Sequence, residues 1–92
     1  MMLVRTTSRF RKALKKLLRS GRFDREGLGA VIDTLANGKK LAISYDDHEL
    51  SAELTGHREC HLKPDLLLIY RIENNNLVLV LVNLGSHSDL FG

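Results

Sequence analysis

The sequence predicts an α+β domain in which two amphipathic helices near the N-terminus cover one face of an antiparallel sheet. Three observations carry this. Apolar residues recur at three- and four-residue spacing up to about residue 36, short aliphatic runs replace that pattern in the second half, and Asn and Gly mark the joins. Met2 to Thr6 is a short apolar opening that suits an edge strand. Thr7 or Ser8 then offers the side-chain oxygen that caps a helix of about residues 8–20. Phe10, Ala13, Leu14, Leu17 and Leu18 form its buried stripe, while Arg11, Lys12, Lys15, Lys16 and Arg19 face water. Gly21 ends it. Asp24 caps a second helix of about residues 25–36, with Leu28, Val31, Ile32 and Leu35 facing inward and Asn37-Gly38 as the stop. Gly27 and Gly29 weaken the first turn of that helix.

A loop from Lys39 to Asp47 follows, and then three antiparallel strands: about residues 53–62, Leu66 to Ile72, and Leu77 to Leu84. The last two are apolar almost throughout, as strands covered on both faces are. Pro64 separates the first pair because it has no amide to give the ladder. Asn74-Asn75-Asn76 joins the second pair with residues that tolerate left-handed backbone angles. Ser86 to Phe91 is long enough for one helical turn. Ninety-two residues are too few for two independent cores, so one domain over residues 1–92 is expected.

The formal charge of +3 hides an asymmetry: residues 5–25 hold nine Arg or Lys against Asp24 alone, about +8, which leaves about −5 for the rest. Such a molecule presents a basic face to a polyanion, either nucleic acid or an acidic protein partner. No apolar run approaches the roughly 20 residues of a membrane span. The basic N-terminus lacks the continuous apolar stretch of a secretory signal, so a cytoplasmic protein is expected. The one cysteine, Cys60, has no disulfide partner and reads as a small apolar filler.

His48, His57, His61 and His87 are the four histidines, and three of them sit beside acidic or turn residues instead of inside apolar runs. Imidazoles titrate near neutrality, so a pair can take a proton from one oxygen and give one to another, as RNA cleavage through the 2′-hydroxyl requires. A metal site is not expected. No close Cys/His pair of the zinc-finger kind is present, and His57 and His61, four apart in an expected strand, would stand about 13 Å apart.

Four blocks occur in order: Tyr45-Asp46-Asp47-His48-Glu49-Leu50, Gly56-His57-Arg58-Glu59-Cys60-His61, Pro64-Asp65-Leu66-Leu67-Leu68-Ile69-Tyr70, and Gly85-Ser86-His87-Ser88-Asp89-Leu90-Phe91. Together they resemble the YafQ-like toxins of the RelE/ParE superfamily. The resemblance is detailed over the C-terminal half and extends to the helix-hairpin layout of the rest. It implies a RelE-like fold and a microbial type II toxin, an endoribonuclease that enters the ribosomal A site and cuts messenger RNA there until a cognate antitoxin neutralises it. No cofactor is implied. His48, His61, Asp65, His87 and Phe91 match family positions associated with activity, Glu59 matches an acidic position near them, and His57 has no counterpart. On this reading His87 is the general acid for the leaving 5′-oxygen, His48 or Asp65 takes the 2′-hydroxyl proton, and His61 stabilises the phosphate. Phe91 offers a ring on which a base can stack, worth about 1–3 kcal/mol; read by itself, it packs back on the sheet. Arg58, Lys63, Lys12, Lys15 and Lys16 are the expected contacts to RNA phosphates.

Two departures from the family pattern stand out. Asn83 occupies the place of an arginine that would stabilise charge on the scissile phosphate, and Leu54 that of a tryptophan. Arg58, Lys63 and Arg71 are the candidates to restore the missing charge. The competing readings are a non-catalytic module that grips RNA or an acidic antitoxin, and a ParE-like gyrase inhibitor. The histidine set separates them, because gyrase-directed relatives need no general acid and base.

Overall fold

The computed structural model describes all 92 residues, and its helices start where their capping residues lie. Thr7 accepts from the Phe10 amide at 3.1 Å and opens α1 (Ser8–Arg19). Its hydroxyl also donates to the Val82 carbonyl at 2.5 Å, which ties the helix start to the last strand. Asp24 accepts from the Gly27 amide at 2.9 Å and opens α2 (Arg25–Ala36). The strands are β1 (Leu3–Thr6), β2 (His48–Glu49), β3 (Arg58–Lys63), β4 (Leu66–Glu73) and β5 (Val78–Gly85), and α3 (His87–Phe91) ends the chain. Three-residue 3-10 turns occur at Ile43–Tyr45 and Ala52–Leu54.

The sheet runs in the order β1-β5-β4-β3-β2. Neighbours from β5 to β2 are antiparallel, whereas β1 lies parallel to β5, Leu3 facing Val78 and Thr6 facing Leu81. The sheet is therefore mixed and not wholly antiparallel as expected. No tight turn joins β1 to β5, since two helices and three strands intervene, so no hairpin dictates their direction. The outer edge of β1 is partly closed: the Met2 amide donates to the Ala36 carbonyl at 2.7 Å and Arg11 donates to the Thr6 carbonyl at 2.8 Å.

Two strand assignments from the sequence change. The segment expected as a strand over residues 53–62 becomes extended only at Arg58, because a 3-10 turn runs through Ala52–Leu54 and Gly56 (φ 89°) takes a left-handed angle that breaks the strand. The pair His48–Glu49, read as outside any element, forms β2 on the edge of β3. The asparagine turn is as expected, with Asn74, Asn75 and Asn76 all at positive φ (53°, 53° and 68°).

Alternation sorts the sheet residues onto two faces. Cys60, Leu68, Tyr70, Leu79, Leu81 and Leu84 join Phe10, Leu28, Val31 and Leu35 in the core that both helices cover. Glu59, His61, Leu67, Ile69, Asn83 and Gly85 have the opposite parity and line the other face. The pairing skips Val82 between Asn83 and Leu81, a bulge that frees the Val82 carbonyl for Thr7.

Cys60 is wholly buried, as the filler reading requires, and burial followed by the charges of Asp47 and Glu59 pushes its thiol up to about 12. At pH 8 only about one thiol in 10⁴ is then ionised, so iodoacetamide is expected to leave the native protein unmodified and to label it fully in urea. Intact-mass spectrometry with and without denaturant reads this directly. Rapid labelling of the folded protein would show that the thiol opens to solvent.

Candidate active site

Register brings the site together. His48 pairs with Glu59, Glu59 with Ile69, and Ile69 with Asn83, while His61 pairs with Leu67 and Leu67 with Gly85. These two neighbouring rows put His48, Glu59 and His61 on the face that α1 and α2 leave uncovered. Glu59 lies at the centre and is only 4% exposed. The His61 Nε2 is 3.4 Å and the His48 Nε2 4.0 Å from Glu59 Oε1, and the two imidazole centroids are 6.4 Å apart.

His48 has a defined hydrogen-bond state. Its Nδ1 is 2.7 Å from the Asp46 carbonyl oxygen. A carbonyl can only accept, so neutral His48 carries its proton on Nδ1 and presents a bare Nε2 to the site. Asp46 reaches this position through a left-handed backbone (φ 48°), and its carboxylate also lies 3.6 Å from the His61 Nε2. Beside His61 a pocket of about 380 Å³ opens, lined in part by Asp46, Lys63 and Pro64.

The second half of the site is α3. Gly85 projects from the same face as Leu67 and His61, and a Cβ there would stand 3.0 Å from the Cβ of Asp89. The missing side chain is what lets α3 settle on the sheet beside His61, about 10 Å away by strand spacing. Asp65, in the turn between β3 and β4, accepts from the His87 backbone amide at 3.0 Å and so fixes the start of α3. Ser86 and Asp89 close a reciprocal capping box, and the bonds from the Ser86 amide and hydroxyl hold the Asp89 carboxyl below the usual carboxylate range. His87 is exposed at the first helical position.

Phe91 does not pack on the sheet, the placement expected when it is read by itself. It is 42% exposed, with its ring 5.0 Å from that of His87, one helical turn away. Of the expected phosphate contacts, Lys63 lines the pocket beside His61, and Lys16 lines one of about 350 Å³ with Asn83, Gly85 and Asp89. Lys12 and Lys15 are exposed on α1, away from these contacts. Arg58 is not brought to the site. It lies across β3 from Glu59, on the other face, bonded to Asp47 at 3.1 Å. Partial burial works against its charge, but the Tyr70 hydroxyl and the Asp47 carboxylate together outweigh it and raise its pKa. Arg71 is bonded to Glu73 and to His57, whose Nδ1 is buried without a partner. Asn83 turns its carbonyl oxygen onto the Leu84 amide at 2.9 Å. Neither candidate arginine therefore replaces the missing charge at Asn83.

Sequence reasoning missed Asp46 and Asp47, although both stand immediately before His48 in a block already singled out. Alternation was the available signal for Asp47, which with Glu49 flanks His48 on the opposite face of a short strand.

Residues 2–92 match the family of bacterial toxins of type II toxin-antitoxin systems, YafQ. The mRNA interferase toxin YafQ of Escherichia coli K12 is 36% identical over 56 residues, a match that spans 61% of this chain and 59% of that protein's length. A crystal structure of a metal-bound toxin from Helicobacter pylori superimposes with a TM-score of 0.92 at 48% identity, over 99% of this chain and all of the other. YafQ in the Escherichia coli DinJ-YafQ complex superimposes at 0.86 with 29% identity, over the whole of both chains. The fold and a family match over almost the entire sequence agree, and the chain belongs to the YafQ toxin family.

Proposed function

We propose that this chain is an endoribonuclease that cuts messenger RNA in the ribosomal A site. The observation that supports it most is the joint placement of His48, His61 and Glu59 on the open sheet face with α3 seated beside them. His48, with Nδ1 held by the Asp46 carbonyl, takes the 2′-hydroxyl proton at Nε2. The 2′-oxygen attacks the adjacent phosphorus, and His87 protonates the departing 5′-oxygen, leaving a cyclic phosphate and a free 5′-hydroxyl. His61, paired with Glu59, stabilises the charge on the phosphate oxygens. Asp65 positions His87 through its backbone, which leaves His48 the better candidate for the base. Phe91 extends the His87 ring into a platform for a base, and Lys63 and Lys16 meet neighbouring phosphates. The reaction needs ribosomes, so the protein acts in the cytoplasm. Its partner is a cognate antitoxin, as DinJ is for the Escherichia coli protein.

A relative has been crystallised with metal. Each proposed proton transfer is assigned to an imidazole, so protein treated with EDTA and then freed of it is expected to cut at an unchanged rate on ribosomes that keep their Mg²⁺.

Primer extension on messenger RNA, with and without programmed ribosomes, tests the reading. Cleavage within A-site codons is expected on ribosomes, and naked RNA is expected to be cut about a hundredfold more slowly or worse, because nothing else aligns the strand in so shallow a site. Equal cutting of both would remove the ribosome from the mechanism. Binding without cutting would favour the non-catalytic module, for which the exposed cations of α1 are already suited.

A further inference from the structure

β2 holds His48 yet consists of two residues with two ladder pairs at the sheet edge. Ordering each residue costs about 1–2 kcal/mol of backbone entropy, more than so short a ladder returns. Something else must hold it. On the helix-covered face, the Asp47 carboxylate accepts from the Tyr70 hydroxyl at 2.7 and 2.8 Å and from Arg58 Nε at 3.1 Å. Tyr70 is 1% exposed and belongs to the core, so it is a fixed point. Arg58 also reaches Glu49 at 3.5 Å. One guanidinium thus bridges the residues before and after His48, and alternation sends the imidazole between them through to the opposite face, against Glu59.

We infer that Asp47, anchored by Tyr70 and Arg58, is a positioning residue for His48: a clamp on one face of the sheet that sets the place and tautomer of the imidazole on the other. The inference rests on the reading of His48 as the base. Tyr70 keeps its proton and donates it to Asp47, because burial and then that bond raise its pKa.

The test uses the full chain with Asp47→Ala, Asp47→Asn and Tyr70→Phe, and Leu79→Ala as a variant that loses core stability without touching the clamp. Ring ¹⁵N shifts of His48 report its tautomer without any RNA. Wild type and Leu79→Ala are expected to show the Nδ1-protonated form. Asp47→Ala and Tyr70→Phe should show averaged tautomers and faster exchange of the β2 and β3 amides. Asp47→Asn keeps an acceptor for Tyr70 and should fall between. Single-turnover cleavage on programmed ribosomes should drop about 10- to 100-fold in Asp47→Ala and Tyr70→Phe, with ribosome binding unchanged. Folded variants whose His48 shifts and cleavage rates match wild type would overturn the clamp. So would the same shift change in Leu79→Ala, which would make the effect one of general stability. A wild type that cuts nothing would defeat the nuclease reading alone, since the ring shifts would still decide whether Asp47 places His48.

Discussion

Replacing His87 by alanine is expected to lower ribosome-dependent cleavage by about 10²–10⁴-fold while leaving the fold intact, the usual contribution of a positioned acid or base. Both halves of this expectation come from the surroundings of the residue. The side chain is exposed, and its one ring contact is Phe91 at 5.0 Å. The bond that anchors the start of α3 runs from the His87 backbone amide to Asp65, and alanine keeps that amide. Alanine is also a better helix former than histidine, so α3 should not loosen. Circular dichroism and urea melts should therefore match the wild type while primer extension shows almost no product. Undiminished cleavage would remove His87 from the chemistry and leave the 5′-oxygen without a named acid.

Leu79→Ala should do the reverse. Leu79 has no exposed surface and sits in β5, with β4 on one side, β1 on the other and the helices above. Emptying that position costs about 2–5 kcal/mol, the lost transfer energy plus the cavity left behind. A domain of this length has a total stability of roughly 5–14 kcal/mol, so the loss is a large fraction of it. The urea midpoint should fall steeply with little change in slope, and activity below the transition should persist. A variant as stable as wild type would mean that the core repacks around the gap. Together the two substitutions separate chemistry from scaffold: one removes function without stability, the other stability without function.

Much of the scaffold was legible because its determinants are local. Thr7 and Asp24 cap helices in the structure as their chemistry predicts, and the three asparagines adopt the left-handed angles their side chains tolerate. The boundary that failed, the start of β3, failed at Ala52 and Gly56. Glycine has no required conformation, and an alanine at positive φ is imposed by its neighbours and not by its own preference. The candidate site was legible as a set of residue types in four ordered blocks but not as an arrangement. Arg58 and Glu59 are adjacent in sequence, yet one is bonded to Asp47 under the helices while the other lies between two imidazoles on the far face. Only the register of β3 decides which residue is which, because a slip of one residue would exchange them.

The sequence by itself determined the two amphipathic helices, the two central strands, the basic N-terminal segment and the inventory of imidazoles, since periodicity, capping and charge act over a few residues. Tertiary structure alone decided that β1 runs parallel to β5, that Phe91 lies against His87, that Arg58 is occupied elsewhere, and that a two-residue strand carries His48 to Glu59. Apart from the His87 and Phe91 pair, which lies within α3, these depend on contacts between residues 11 to 75 positions apart, such as Arg58 with Asp47 and Thr7 with Val82. Their energies exist only once the intervening chain has folded, and no local pattern encodes them.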